Sequence, residues 1–97
     1  MAQVVWTEPA LNDLEVIADY IALDKPKAAR RFVHRVFQKI ELLGRFPLLG
    51  TKPVEIRDFP YRQLVVAPCR IFYRVAGKRI YIVSVLRGEK GSPKGIR

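Results

Sequence analysis

With 97 residues, of which 49% are hydrophobic, the chain has the composition of one globular domain: too short for two cores and too apolar for a disordered segment. Its 18 Lys and Arg outweigh nine Asp and Glu to give a net charge of +9, which calls for an anionic partner. No stretch approaches the ~20 apolar residues of a membrane span, no basic and apolar leader opens the chain, and a cytoplasmic protein is expected.

Cysteine and histidine usage excludes further classes. A single cysteine, Cys69, allows no intrachain disulfide, and with the single histidine, His34, it provides no metal cluster of the usual spacing. Cys69 reads as a packed thiol and His34 as a surface residue, so neither metal nor cofactor is expected. Charge is also unevenly placed. Residues 1–24 carry five acids (Glu8, Asp13, Glu15, Asp19 and Asp24) and no base, while every Lys and Arg lies from Lys25 onward.

Ala2 to Trp6 forms a short apolar run that predicts a strand. Thr7, Glu8 and Pro9 then give a hydroxyl cap and a proline in the first turn of a helix. Ala10, Leu11, Leu14, Ile17, Ala18 and Ile21 recur at three- and four-residue spacing as its apolar face, with Glu8, Asn12, Glu15 and Asp19 opposite. Val16, Tyr20 and Leu23 fall off that face. They are either ordinary surface apolar residues or a ridge for a partner.

Pro26 opens a second helix whose stripe is Ala29, Phe32, Val33, Val36, Phe37, Ile40 and Leu43. Lys27, Arg31, Arg35 and Lys39 repeat every four residues along its flank, and Gly44 and Pro47 end it. Leu48 to Pro53 reads as a loop. Ile56 to Val66 reads as extended chain bent at Asp58 and Pro60, followed by a turn at Ala67 and Pro68. Arg70 to Val75 and Arg79 to Leu86 are branched, aromatic-rich strands joined at Gly77. Glu89 to Arg97, with two glycines and a proline, reads as a loose basic tail.

The order β-α-α-β-β-β predicts an α+β domain over residues 1–97, with a helical hairpin packed on a mainly antiparallel four-stranded sheet. Strict alternation places Arg70, Phe72 and Arg74 on one face of the third strand. It groups Tyr81, Val83, Val85 and Arg87 on one face of the fourth, and Arg62, Leu64 and Val66 on one face of the second. Should these faces coincide, three or four guanidinium groups converge beside aromatics, a chemistry suited to RNA phosphates or acidic peptides. The alternative is a set of solvated strand residues, some of them paired with Glu55 or Asp58.

These residues, taken in order, resemble the RelE/ParE superfamily of toxins from type II toxin-antitoxin pairs. The likeness spans nearly the whole chain: the V-V-W-T-E-P-A-L-N-D-L opening, I-A-D-Y-I, the L-L-G-R-F-P-L-L-G helix exit, R-I-F-Y-R-V, and the closing I-Y-I-V-S-V-L-R-G. It implies the RelE/ParE-like fold, no small-molecule substrate, and a cognate antitoxin with an acidic, helix-forming segment that Lys27, Arg31, Arg35, Lys39 and Arg70 would attract.

Two activities go with the superfamily. RelE-like members cleave mRNA on the ribosome, for which Arg70, Arg87 and Glu55 are the candidate catalytic groups here, with Lys78 or Lys90 as further cations. ParE-like members bind DNA gyrase, for which Arg62, Arg70, Arg74, Arg87 and Lys90 are the candidate target-binding residues. RelE-like and YoeB-like nucleases end with a Tyr or His-Tyr after the last strand, where this chain reads Gly88, Glu89, Lys90, Gly91. The resemblance is therefore closer to ParE. A basic nucleic-acid-binding domain without toxicity is a third reading.

Overall fold

The computed structural model describes residues 1–88, and the expected tail over residues 89–97 lies outside them. Strand β1 (Gln3–Trp6) leads into helix α1 (Glu8–Asp24) and helix α2 (Pro26–Arg45). A single 3₁₀ turn (Val54–Ile56) follows, then β2 (Arg62–Val66), β3 (Cys69–Ala76) and β4 (Arg79–Arg87). The strands form one sheet in the order β1-β4-β3-β2, with β1 parallel to β4 and the other pairs antiparallel. The expected α+β architecture is present. The extended run foreseen from Ile56 is shorter, because Val54 to Ile56 turn and the strand starts only at Arg62, past the bend at Asp58 and Pro60.

Local chemistry sets the helix boundaries. Thr7 Oγ1 accepts the Ala10 N–H at 3.3 Å and donates to the Ile82 carbonyl at 2.6 Å, so the α1 cap is also a tether to β4. Lys25 closes α1 through its N–H to the Ile21 carbonyl (2.9 Å) and precedes Pro26 at the first position of α2, so one residue separates the helices. At the far end of α2 the Gly44 carbonyl accepts the Ala2 N–H at 2.9 Å, fixing the start of β1 against the helix.

The core lies between the helical hairpin and one sheet face. Ala10, Leu14 and Ile17 of α1 and Phe32, Val36, Ile40 and Leu43 of α2 pack on Leu64, Val66, Cys69, Ile71, Tyr73, Ile80, Ile82 and Val85. Each fully buried Val, Leu, Ile or Phe side chain among them contributes about 1.5–3 kcal/mol by leaving water. Two expected core positions differ. Leu11 is exposed, and Phe37 is 45% exposed, with its ring 5.4 Å from that of Trp6 at the margin of the hairpin.

Two polar devices lock this sandwich. Tyr73 is fully buried in the sheet, and its hydroxyl donates to the Pro47 carbonyl (2.9 Å) while accepting the Gly50 N–H (2.8 Å). The loop after α2 is thereby held over β2 and β3. Arg62 Nη1 adds a bond to the Gly50 carbonyl at 2.7 Å, and Thr51 and Gln63 exchange backbone bonds at 3.0 and 2.8 Å. Gly50 has no room for a side chain, since a Cβ would lie 2.5 Å from the Gln63 carbonyl and 2.7 Å from the Tyr73 ring.

The second device sits on β4. The β3–β4 register shifts between Phe72 and Tyr73, which oppose Ser84 and Ile82 respectively, so Val83 is an extra residue. Asp13 of α1 reaches this bulge. Its Oδ2 accepts the Val85 N–H at 3.0 Å and the Ser84 hydroxyl at 3.4 Å. One of the five α1 acids is thus a half-buried structural group, separate from the outer acidic face.

Two expected outcomes follow from these locks. Gly50→Ala and Asp13→Ala should each lower the urea midpoint with an unchanged m-value, at a cost of about 1–3 kcal/mol apiece: the first by steric conflict with backbone, the second by leaving the Val85 N–H without an acceptor. Stability should also fall in alkali. Burial pushes the Cys69 thiol from 9.0 up to about 11, with Arg87 opposing, and burial likewise raises the Tyr73 phenol against the opposing effects of the Gly50 N–H and Arg62. Both groups fold as neutral acids, so their contribution is complete below the unfolded pKa and is lost as pH rises through the folded one. For Cys69 that window runs from about pH 9 to 11 and amounts to about 3 kcal/mol. Urea titrations across it should show a smaller loss in Cys69→Ala than in the parent.

Candidate functional site

The acid distribution governs which cations are available. Residues 59–88, which hold β2, β3 and β4, contain Arg62, Arg70, Arg74, Lys78, Arg79 and Arg87 and no Asp or Glu. The structure gives these cations different tasks, and the register decides which.

Arg70 lies on the sheet face turned away from the helices and is only 4% exposed. Its Nη1 meets Glu55 Oε2 at 3.0 Å and its guanidinium stands 4.9 Å over the Phe72 ring. The 3₁₀ turn carrying Glu55 thereby closes this part of the second face, where Phe72 is fully buried. Glu55's own backbone N–H and the Arg70 guanidinium hold its carboxyl below the ordinary range, against the opposing effect of burial. A carboxylate so stabilised is a weaker proton acceptor than a free one.

The convergence expected from strict alternation does not occur. Arg62 pairs in register with Tyr73, and Arg87 with Cys69, both on the helix-facing side. The bulge at Val83 reverses parity along β4. Tyr81 shares the second face with Arg74, whereas Val85 and Arg87 turn toward the helices. Arg87 accordingly stacks 4.4 Å over the ring of Tyr20 on α1, and Arg62 is spent on the Gly50 carbonyl. Arg70, Arg87 and Glu55 therefore do not form one catalytic cluster: the first and last are a pair on one face, and Arg87 is on the other. Lys90 lies outside the described residues.

Arg74 stands 5.1 Å over the Tyr81 ring, with Lys78 and Arg79 exposed at the adjoining hairpin turn. On the helical layer, Lys27, Arg31, Arg35 and Lys39 are all exposed along α2, as their spacing predicts. Arg35 also has a structural tie, its Nη2 donating to the Ala67 carbonyl at 3.0 Å. On the α1 side of α2, away from this stripe, an apolar groove lies between the helices, lined by Ala18, Ala22, Ala29, Val33 and Phe37, with Asp19, Arg30 and His34 also contributing. Val16, Tyr20 and Leu23 are exposed on α1, Leu23 at 86%.

Among the described residues no group of three or more His, Cys, Asp or Glu is placed to hold a metal ion, and no helix is long and apolar enough to cross a membrane. Sequence reasoning missed the structural roles of Tyr73, Gly50 and Asp13. The first two belong to a loop contact 23 residues apart, and the third depends on a bulge that no local pattern announces.

Comparison with known proteins adds to this geometry. Residues 4–91 match the family described as the ParE toxin of the type II toxin-antitoxin system, parDE. Toxin RelE2 of Caulobacter vibrioides is 38% identical over 86 residues, covering 88% of this chain and 93% of the relative. Toxin ParE3 of the same organism is 29% identical over 90 residues, covering 92% and 89%. Among solved structures, a chain of the chromosomal ParDE toxin-antitoxin system from P. aeruginosa superposes with a TM-score of 0.78 at 27% identity, covering 92% of this chain and 98% of that one. The helical hairpin on a four-stranded mixed sheet is that fold, and the chain belongs to the ParE toxin family of type II toxin-antitoxin systems.

Proposed function

We propose that this toxin acts by binding and inhibiting DNA gyrase, and that a cognate antitoxin with an acidic amphipathic segment neutralises it. The observation that carries the target reading is the separation of Arg87 from the Arg70–Glu55 pair. In-line cleavage of RNA needs a base for the 2′-hydroxyl, cations at the crowded phosphate and an acid for the leaving oxygen, all within reach of one another. Here the candidate base has a lowered proton affinity and is held by a buried arginine, and the second arginine is across the sheet. A gyrase-binding toxin breaks no bond and requires only a complementary surface; of the strand arginines expected to bind the target, Arg87 is exposed and Arg74 half-buried.

The antitoxin reading rests on the helical layer. It offers an exposed basic stripe, Lys27, Arg31, Arg35 and Lys39, and, on a different side of α2, an apolar groove to which Arg30 contributes a cation, surfaces that suit a segment with one apolar face and acidic side chains. Such charges act more on association rate and salt dependence than on final affinity. The 38% identity to Toxin RelE2 favours a second reading, ribosome-dependent mRNA cleavage.

One preparation of the protein separates the two. Supercoiling by purified gyrase should be inhibited, while mRNA on translating ribosomes should remain intact. Persistent supercoiling together with cut mRNA would overturn the gyrase reading in favour of the nuclease. If neither occurs and expression leaves host growth unimpaired, a non-toxic basic binding domain is the reading that remains.

A further inference from the structure

We propose that the open half of the second sheet face, at the β3–β4 hairpin, is a binding site for the phosphodiester backbone of nucleic acid, independent of gyrase. The 3₁₀ turn and the Arg70–Glu55 pair close the other half of that face. What remains open carries Arg74, Arg79 and Tyr81, with Lys78 at the turn and Gln3 and Val5 of β1 alongside. Arg79 opposes Ala76 and Arg74 opposes Tyr81, so the two arginines are diagonal neighbours, about 7–8 Å apart by sheet geometry.

Three cations in one small area repel one another, and among the described residues no acid pairs with them. Neither residues 1–7 nor residues 59–88 contain an acid, and among the described residues the one ion pair is that of Arg70 with Glu55. The eight acids of the described residues belong to other elements: five to α1, Glu41 to α2, Glu55 to the 3₁₀ turn beside Arg70, and Asp58 to the bend before β2. A fold keeps such a cluster at a cost in self-repulsion, which a polyanion removes on binding.

The stacked arrangement narrows the choice of anion. The Arg74 guanidinium lies 5.1 Å from the centre of the Tyr81 ring, which sets a fork that pairs with phosphate oxygens beside an aromatic ring on which a base can stack. An acidic peptide would use the charges but not the aromatic ring. Nucleic acid uses both, and duplex or single strand can supply the same backbone.

The test is anisotropy of labelled duplex DNA, single-stranded DNA and single-stranded RNA titrated with the toxin alone across a range of salt. Three phosphate contacts predict a slope of log affinity against log salt of roughly −2.7 for duplex, or roughly −2 for a single strand, and the arm that binds tightest identifies the source. Lys78→Gln/Arg79→Gln leaves the Arg74–Tyr81 stack in place and should reduce the slope by about two-thirds and the affinity about tenfold or more in low salt. Lys25→Gln/Arg45→Gln makes the same change in net charge on the helical layer and should reduce neither comparably. Equal losses in the two variants would mean binding by overall charge, and would overturn the proposal. So would absence of binding in all three arms, or binding of a polyglutamate probe with none of nucleic acid. None of these results bears on gyrase inhibition, which is read in the separate supercoiling assay.

Discussion

The contact between Asp13 and the β4 bulge decides which side of the sheet each charged residue of the last strand serves. One extra residue, Val83, brings Ile82 and Val85, three positions apart, into the same helix-facing core. An inserted residue disturbs the backbone pairing locally, and here a carboxylate from α1 accepts the Val85 N–H at 3.0 Å. A charge-assisted bond of this kind is stronger than a neutral one and also fixes the helix over β4. Thr7 does the same at the start of α1 through the Ile82 carbonyl. Arg87 reaches Tyr20 only because of this shift in parity.

The six cations of the acid-free sheet are consequently divided by position. Arg70 is buried with Glu55 and Phe72 and supports the second face from within. Arg62 secures the loop at Gly50, which the Tyr73 hydroxyl also holds. Arg87 joins the sheet to α1. Arg74, Lys78 and Arg79 are left at the hairpin turn, where their charge faces solvent or a partner. Number alone would suggest a uniformly basic face, but Arg70 is buried in an ion pair, Arg62 is bonded to the Gly50 carbonyl, and Arg87 turns to the other side of the sheet.

The two helices have opposite electrostatic characters on one hairpin. α1 presents Glu8, Glu15 and Asp19 outward, and α2 presents Lys27, Arg31, Arg35 and Lys39. An acidic partner segment would be drawn to α2 and repelled by α1, so charge alone favours approach from the α2 side of the hairpin.

The sequence by itself determined the element order, the helix boundaries at Thr7, Lys25 and Pro26, the basic stripe of α2 and the family. All of these rest on local periodicity, capping chemistry or a pattern running the length of the chain. Tertiary structure alone decided the faces of Arg62 and Arg87, the burial of Arg70, the exposure of Leu11 and Phe37, and the roles of Asp13, Gly50 and Tyr73. A strand's parity changes with one inserted residue, and burial depends on what packs above a side chain. Both are settled by partners distant in sequence, as when Asp13 meets Val85 across 72 positions.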